Sequence, residues 1–217
     1  MLEARPLAYN DVMPTKNSRK QYVAEEYYHV YSRGINKEKI FKEDADYAFF
    51  LSLFKRYLAS ENSISSSRVP YPNFRDTVKL NAYCLMPNHI HLLLYLIDEE
   101  GIKKLMQSVM TSYSMYFNQK YGHFGPVFQS RYLATNIDKQ NYLEHISRYI
   151  HLNPKNFKDY PYSSLQYYLN VKSADWLEPN PILELFNNDA DEYLRFVSDY
   201  EDHKAMLDEL KYDLADC

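Results

Sequence analysis

Two cysteines, four glycines and one tryptophan in 217 residues set the first limits on this chain. Cys84 stands alone and Cys217 is terminal, so there is no disulfide framework and no cysteine-spaced zinc site, and a reducing compartment is expected. So few glycines leave no Gly-rich loop to cradle a phosphate, which argues against the common nucleotide-binding enzymes. No apolar run is long enough to cross a bilayer and no secretory leader pattern opens the sequence, so a cytoplasmic protein with no membrane partner is expected. A basic excess is also missing, with a formal net charge of −4. The charge is uneven, however. Residues 1–170 carry 21 Lys/Arg against 16 Asp/Glu, and residues 171–217 carry 4 against 13. A mildly basic body with an acidic end remains compatible with nucleic acid.

Tyrosine, in contrast, is abundant at 23 copies. Its ring stacks on bases and its hydroxyl reaches phosphates, but it also fills half-buried positions, and composition does not choose between these. The periodicity is more informative. Residues 1–24 show no clear period and read as a lead-in arm. Tyr27 to Ser32 reads as a strand ended by Arg33-Gly34, and Asp44 to Ala59 repeats apolar residues at helical spacing. A Ser/Asn/Pro-rich loop spans about Glu61 to Thr77. Val78 to Met86 largely alternates, Pro87-Asn88 turns, and an apolar run follows, giving a β-hairpin. Gly101 to Tyr121 is an amphipathic helix stopped by Gly122 and Gly125-Pro126. Val127 to Ile137 looks extended, and Asp138 is placed to cap a helix from Lys139 to about Leu152 that Pro154 ends. The order β-α-β-β-α-β-α predicts an α+β fold of the ferredoxin-like or RRM-like split β-α-β type. An antiparallel sheet with helices packed on one face is expected.

Two motifs carry chemistry. His89 and His91 open the second hairpin strand, and residues two apart on a strand share a face. Paired neutral imidazoles suit a divalent metal that keeps open positions, although a lone His-x-His also arises by chance. On the last helix, Tyr149 and Asn153 lie one turn apart on one face. Asn153 could complete a His-His-amide set for Mg²⁺ or Mn²⁺. Tyr149 would then point at a metal-held phosphate as a nucleophile, with Tyr142, seven residues earlier, as its rival.

Four segments together resemble the REP-associated tyrosine transposases, within the single-tyrosine HUH transposases that mobilise insertion sequences. They are Tyr28-His29-Val30-Tyr31-Ser32-Arg33-Gly34, Asn81 to Leu93 with Pro87-Asn88-His89-Ile90-His91 at its centre, Gly125-Pro126-Val127-Phe128-Gln129-Ser130-Arg131-Tyr132, and Ser147-Arg148-Tyr149-Ile150-His151-Leu152-Asn153-Pro154. The resemblance implies a catalytic domain over 25–157, after the arm and before an acidic, partly helical extension over 158–217. It implies His89, His91 and Asn153 as ligands of Mg²⁺ or Mn²⁺ and Tyr149 as the catalytic residue. Such an enzyme cuts single-stranded DNA beside a hairpin or repeat, leaving a 5′-phosphotyrosine and a free 3′-OH. Arg33, Lys37, Lys39, Arg131 and Arg148 are expected DNA contacts, location is cytoplasmic or on the nucleoid, and a homodimer is compatible with the pattern. The rival readings are a non-catalytic hairpin DNA- or RNA-binding protein on the same fold and a replication-initiator HUH nickase. A histidine-triad enzyme would need a third His where Leu93 stands.

Overall fold

The computed structural model describes residues 22–137 and 140–199, without side chains at 140–142. The expected arm therefore lies almost wholly outside the described residues, as do Asp138, the side chain of Tyr142 and the acidic end beyond residue 199.

Four strands, β1 (Glu26–Arg33), β2 (Val78–Met86), β3 (His89–Leu96) and β4 (Leu133–Ile137), form one antiparallel sheet in the order β2-β3-β1-β4. Helix α1 (Asp44–Leu58) joins β1 to β2, and α2 (Gly101–Tyr121) joins β3 to β4. This is the expected split β-α-β core. The last strand is shorter than the extended run expected from Val127 to Ile137. Residues Val127 to Tyr132 fold over the end of β1 instead, where Phe128 bridges Gly34 and Val127 accepts a hydrogen bond from the Ile35 amide. Val127, Phe128 and Tyr132 are buried there without being strand, so local hydrophobicity imitates strand alternation.

Side-chain alternation sorts the strands onto two buried faces. Tyr28, Val30, Ile90, Leu92, Leu94, Val78, Leu80 and Leu85 pack with α1 and α2 in one apolar cluster. Ala82, Cys84, Leu93 and Ile137 face the other way, against Leu143, Ile146, Tyr149 and Ile150 of α3 (Gln140–His151). Burial on both faces explains why Leu92 to Leu96 is an unbroken apolar run. A bulge between Leu80 and Ala82 corrects the phase of β2, so Leu80 and Tyr83 share the α1/α2 face despite their odd spacing. The two crossover helices thus lie on one face, as expected, while α3 covers the second face.

The segment after α3 completes that second layer with α4 (Leu165–Tyr168), α5 (Asn180–Leu183) and α6 (Ala190–Ser198). It is tied to the sheet by polar contacts as well as apolar ones. Asn81 donates to the Glu178 carbonyl at 2.9 Å and accepts from the Tyr168 hydroxyl at 2.9 Å. Part of the acidic end has local structural work. Glu178 meets Lys79 at 3.1 Å, and Asp189 caps α6 by accepting from the amides of Asp191 and Glu192. Ten of the tyrosines, from Tyr22 to Tyr193, are buried, so packing accounts for much of the tyrosine content.

Asp46 links the first two helices. Its carboxylate closes a capping box with Glu43 at the start of α1 and accepts from Lys120, Tyr116 and Tyr121 near the end of α2, at 2.6, 3.0 and 2.7 Å. The side chain is fully buried, which raises its pKa, but the hydrogen bonds from Lys120, the Lys42 amide and Tyr121 outweigh burial and leave it below the usual carboxylate value. Stability from this group is present above the ordinary aspartate range and lost as pH falls below about 4. Asp46→Ala should cost about 3 kcal/mol of unfolding free energy in urea titration at pH 7. The difference should shrink in acid, and an equal loss at both pH values would contradict this role.

Candidate active site

The pairing of β1 with β3 assembles a polar patch on the α3 face. Arg33 lies opposite His89, and Tyr31 lies opposite His91. His29, one step further along the same face of β1, places its Nε2 2.9 Å from Nδ1 of His91. The two rings are nearly coplanar and meet edge to edge, with centroids 5.1 Å apart and 15° between planes. The turn at Pro87-Asn88 fixes the other imidazole. Asn88 donates to the Lys37 carbonyl at 3.1 Å, which directs its Oδ1 at Nδ1 of His89, 2.7 Å away. Gly34 lets the loop after β1 close over this turn, since a Cβ there would meet the Glu38 carbonyl oxygen at 2.2 Å.

Helix α3 brings the third and fourth groups. Its buried stripe of Leu143, Ile146 and Ile150 sets its rotation against the sheet, and Tyr149 falls over the histidines. The Tyr149 ring meets His91 edge-on at 5.3 Å and His29 at 5.9 Å. Asn153 lies two residues beyond the helix end, yet its amide is held. It donates to the Tyr149 carbonyl at 3.3 Å, which turns Oδ1 toward Nε2 of His89 at 3.2 Å. Between these two residues His151 is clamped from both sides, by Tyr193 at Nδ1 and Ser164 at Nε2, each at 2.7 Å. The C-terminal segment thereby anchors the helix that carries Tyr149 and leads into Asn153.

The electrostatics favour neutral imidazoles. Burial pulls His29 down to about 3 and lowers His91 well below its usual value, with His29 and His89 adding to the second effect. His89 is also lowered, first by burial and further by Arg33, while its contact with Asn153 opposes the shift. Tyr149 is pushed up to about 12 by burial, and the Asn153 side chain offsets this in part. Its phenol is therefore protonated at neutral pH.

The donor set fits a divalent cation. A neutral imidazole has one N–H, yet both nitrogens of His89 face amide oxygens. With the proton on Nδ1 toward Asn88, the lone pairs of His89 Nε2 and Asn153 Oδ1 confront each other with no hydrogen between them. A cation resolves that conflict, and the separation of 3.2 Å suits adjacent ligands on a small octahedral ion, about 3 Å apart. Among the described residues, His29 engages Nδ1 of His91 at 2.9 Å, which leaves Nε2 as its other nitrogen. No group of three or more His, Cys, Asp or Glu able to hold a metal occurs among them, so an amide ligand is needed to complete a set.

The expected DNA contacts separate into two groups. Lys37, Lys39 and Arg131 are exposed, and Arg33 is half-buried beside His89 with its Nε donating to Gln129 at 2.7 Å. Arg148 is a correction. It is fully buried, 4.2 Å above the Phe196 ring, with Nη2 at 2.9 Å from His145 and Nη1 at 3.3 Å from the Phe196 carbonyl. It secures α6 on α3 and presents no surface to DNA. Two site residues escaped the sequence reading, His29 and Tyr31, whose ring is 4.9 Å from His91. Their signal was alternation on β1, usable only once β1 is known to pair with β3.

In ultraviolet titration of the metal-free protein, Tyr149→Phe should remove no phenolate absorbance near pH 10 and one equivalent near pH 12. A lost equivalent near pH 10 would contradict the burial described above.

Comparison with known proteins bears on the same region. Residues 73–153 match the family model described as "Transposase IS200 like", a stretch that contains His89, His91, Tyr149 and Asn153. A search of curated proteins gives no match. Among solved structures, a REP-associated tyrosine transposase bound to a REP hairpin shares the fold. The TM-score is 0.51 at 16% identity, over 75% of this chain and 91% of the other. Among the described residues no helix is long and apolar enough to cross a membrane. Residues 73–153 are thus similar in sequence to IS200-like transposases, and the chain as a whole shares its fold with that REP-associated tyrosine transposase.

Proposed function

We propose that this protein is a single-tyrosine DNA transposase. It cuts and rejoins single-stranded DNA beside hairpin or repeat sequences, with Tyr149 as nucleophile. The observation that carries the reading is the convergence, in one chain, of His89 Nε2, His91 and Asn153 Oδ1 beside the Tyr149 ring. The matched family model and the hairpin bound to the structural relative support DNA as substrate. The catalytic unit spans 25–157, and the extension from 158 onward supports it.

Nε2 of His89, Nε2 of His91 and Oδ1 of Asn153 would hold Mg²⁺ or Mn²⁺, which when bound supplies charge neutralisation at the scissile phosphate. Tyr149 Oη attacks phosphorus, the bond to the 3′-oxygen breaks, and the phenolic proton is lost as the 3′-oxygen gains one. A 5′-phosphotyrosine and a free 3′-OH result, and attack by a 3′-OH reverses the step, so no nucleotide cofactor is consumed. Because burial keeps the phenol protonated, Tyr149 is a poor nucleophile until substrate and cation arrive together. Arg33, beside His89, is placed to contact the phosphate, while Lys37, Lys39 and Arg131 offer exposed cations for the flanking strand.

The test uses hairpin oligonucleotides drawn from repeats flanking the gene, with Mg²⁺ or Mn²⁺, and a denaturing gel. A covalent adduct should form, vanish in Tyr149→Phe and with chelator, and fall at least about 100-fold in His89→Ala. Hairpin binding with no adduct in either metal would favour the non-catalytic hairpin-binding reading. Arg33→Gln should weaken DNA binding and reduce the slope of log affinity against log salt by about 0.7, the share of one phosphate contact on a single strand. An unchanged slope would remove Arg33 from the DNA surface.

A further inference from the structure

We propose that His29 is a positioning residue for the metal site, acting as the hydrogen-bond acceptor that fixes which nitrogen of His91 is free to ligate. The inference rests on the metal-binding reading above and goes beyond it to a residue outside the ligand set.

His91 Nδ1 and His29 Nε2 are 2.9 Å apart, both rings are buried, and one of the two nitrogens must donate. If His29 donates, the His91 proton sits on Nε2 and blocks the lone pair that faces the ligand cluster. If His91 donates from Nδ1, its Nε2 lone pair is open. His29 then carries its own proton on Nδ1. That Nδ1 is buried and has no hydrogen-bond partner. The groups around the ring offer little else, with Leu93 and Thr135 in register on the neighbouring strands and the Tyr149 ring centroid 5.9 Å from that of His29.

Folding alone gives no reason for this arrangement. Leucine would pack between β3, β4 and α3 without an orphaned nitrogen, on a face that already holds Leu93, Ile137 and Ile150. The near-parallel ring planes, 15° apart, add a second constraint, because an in-plane hydrogen bond fixes the plane of His91 as well as its tautomer. A partner that orients a ligating imidazole through its second nitrogen is a common requirement of metal sites. An imidazole in that role, in place of a carboxylate or carbonyl, keeps the pocket uncharged beneath Tyr149.

The experiment is Mn²⁺ titration calorimetry on the full chain and on His29→Leu and His29→Gln, with thermal unfolding recorded for each. His29→Leu should weaken Mn²⁺ binding by roughly 10- to 100-fold. His29→Gln, whose amide oxygen can accept the His91 proton, should recover most of the loss. Undiminished binding by His29→Leu, or equal weakening in both variants, would overturn the proposal and leave a packing role. Wild-type protein that binds no Mn²⁺ would overturn the metal reading and this proposal together, whereas wild-type binding matched by His29→Leu overturns this proposal alone. Nitrogen-15 NMR of the wild type reads the tautomer without any variant. His91 protonated on Nδ1 supports the proposal, and protonation on Nε2 contradicts it.

Discussion

The register between β1 and β3 is the constraint on which the rest of this molecule depends. Because the sheet is buried on both faces, each strand must deliver apolar side chains to α1 and α2 on one side and a mixed set to α3 on the other. A slip of one residue would drive His89 and His91 into the α1/α2 core and turn Ile90 and Leu92 toward Tyr149. Burial of these leucines and isoleucines, each contributing about 2 kcal/mol, opposes such a slip. The hydrophobic core thus fixes the site by excluding every other alignment of its strands.

The same burial shapes the chemistry. Neutral imidazoles and a protonated phenol are the forms that a desolvated pocket favours, so the patch beneath α3 carries little charge of its own. What it carries is closely set acceptors, with His89 Nε2 and Asn153 Oδ1 3.2 Å apart beside the His91 ring. Such a pocket fits a cation that brings its charge with the phosphate. The segment after residue 157 matters for the same reason. By clamping His151 between Ser164 and Tyr193, and by seating α6 on Arg148, it holds the short helix that carries Tyr149 and leads into Asn153.

Much of this was legible from local pattern. Gly101 and Gly122 bracket α2, Asp44 and Asp46 mark the start of α1, and Pro87-Asn88 places the hairpin turn directly before His89. Local pattern also named the four residues that converge. It failed where the decisive contact is distant in sequence. His29 meets His91 across 62 residues, and nothing in either segment announces the pairing. Arg148 was read as a surface cation because arginine usually is one, and its burial depends on Phe196, 48 residues later. The start of β4 was misplaced because Val127, Phe128 and Tyr132 are buried without forming a ladder, a distinction that hydrophobicity does not carry.

Tyr149 is the residue proposed to take up DNA. It has a competitor in Tyr31, whose ring lies against both His89 and His91. Mass spectrometry of the nuclease-trimmed adduct decides between them. A nucleotide remnant is expected on the peptide containing Tyr149 and on no other. A remnant on Tyr31, or on Tyr142, would contradict it.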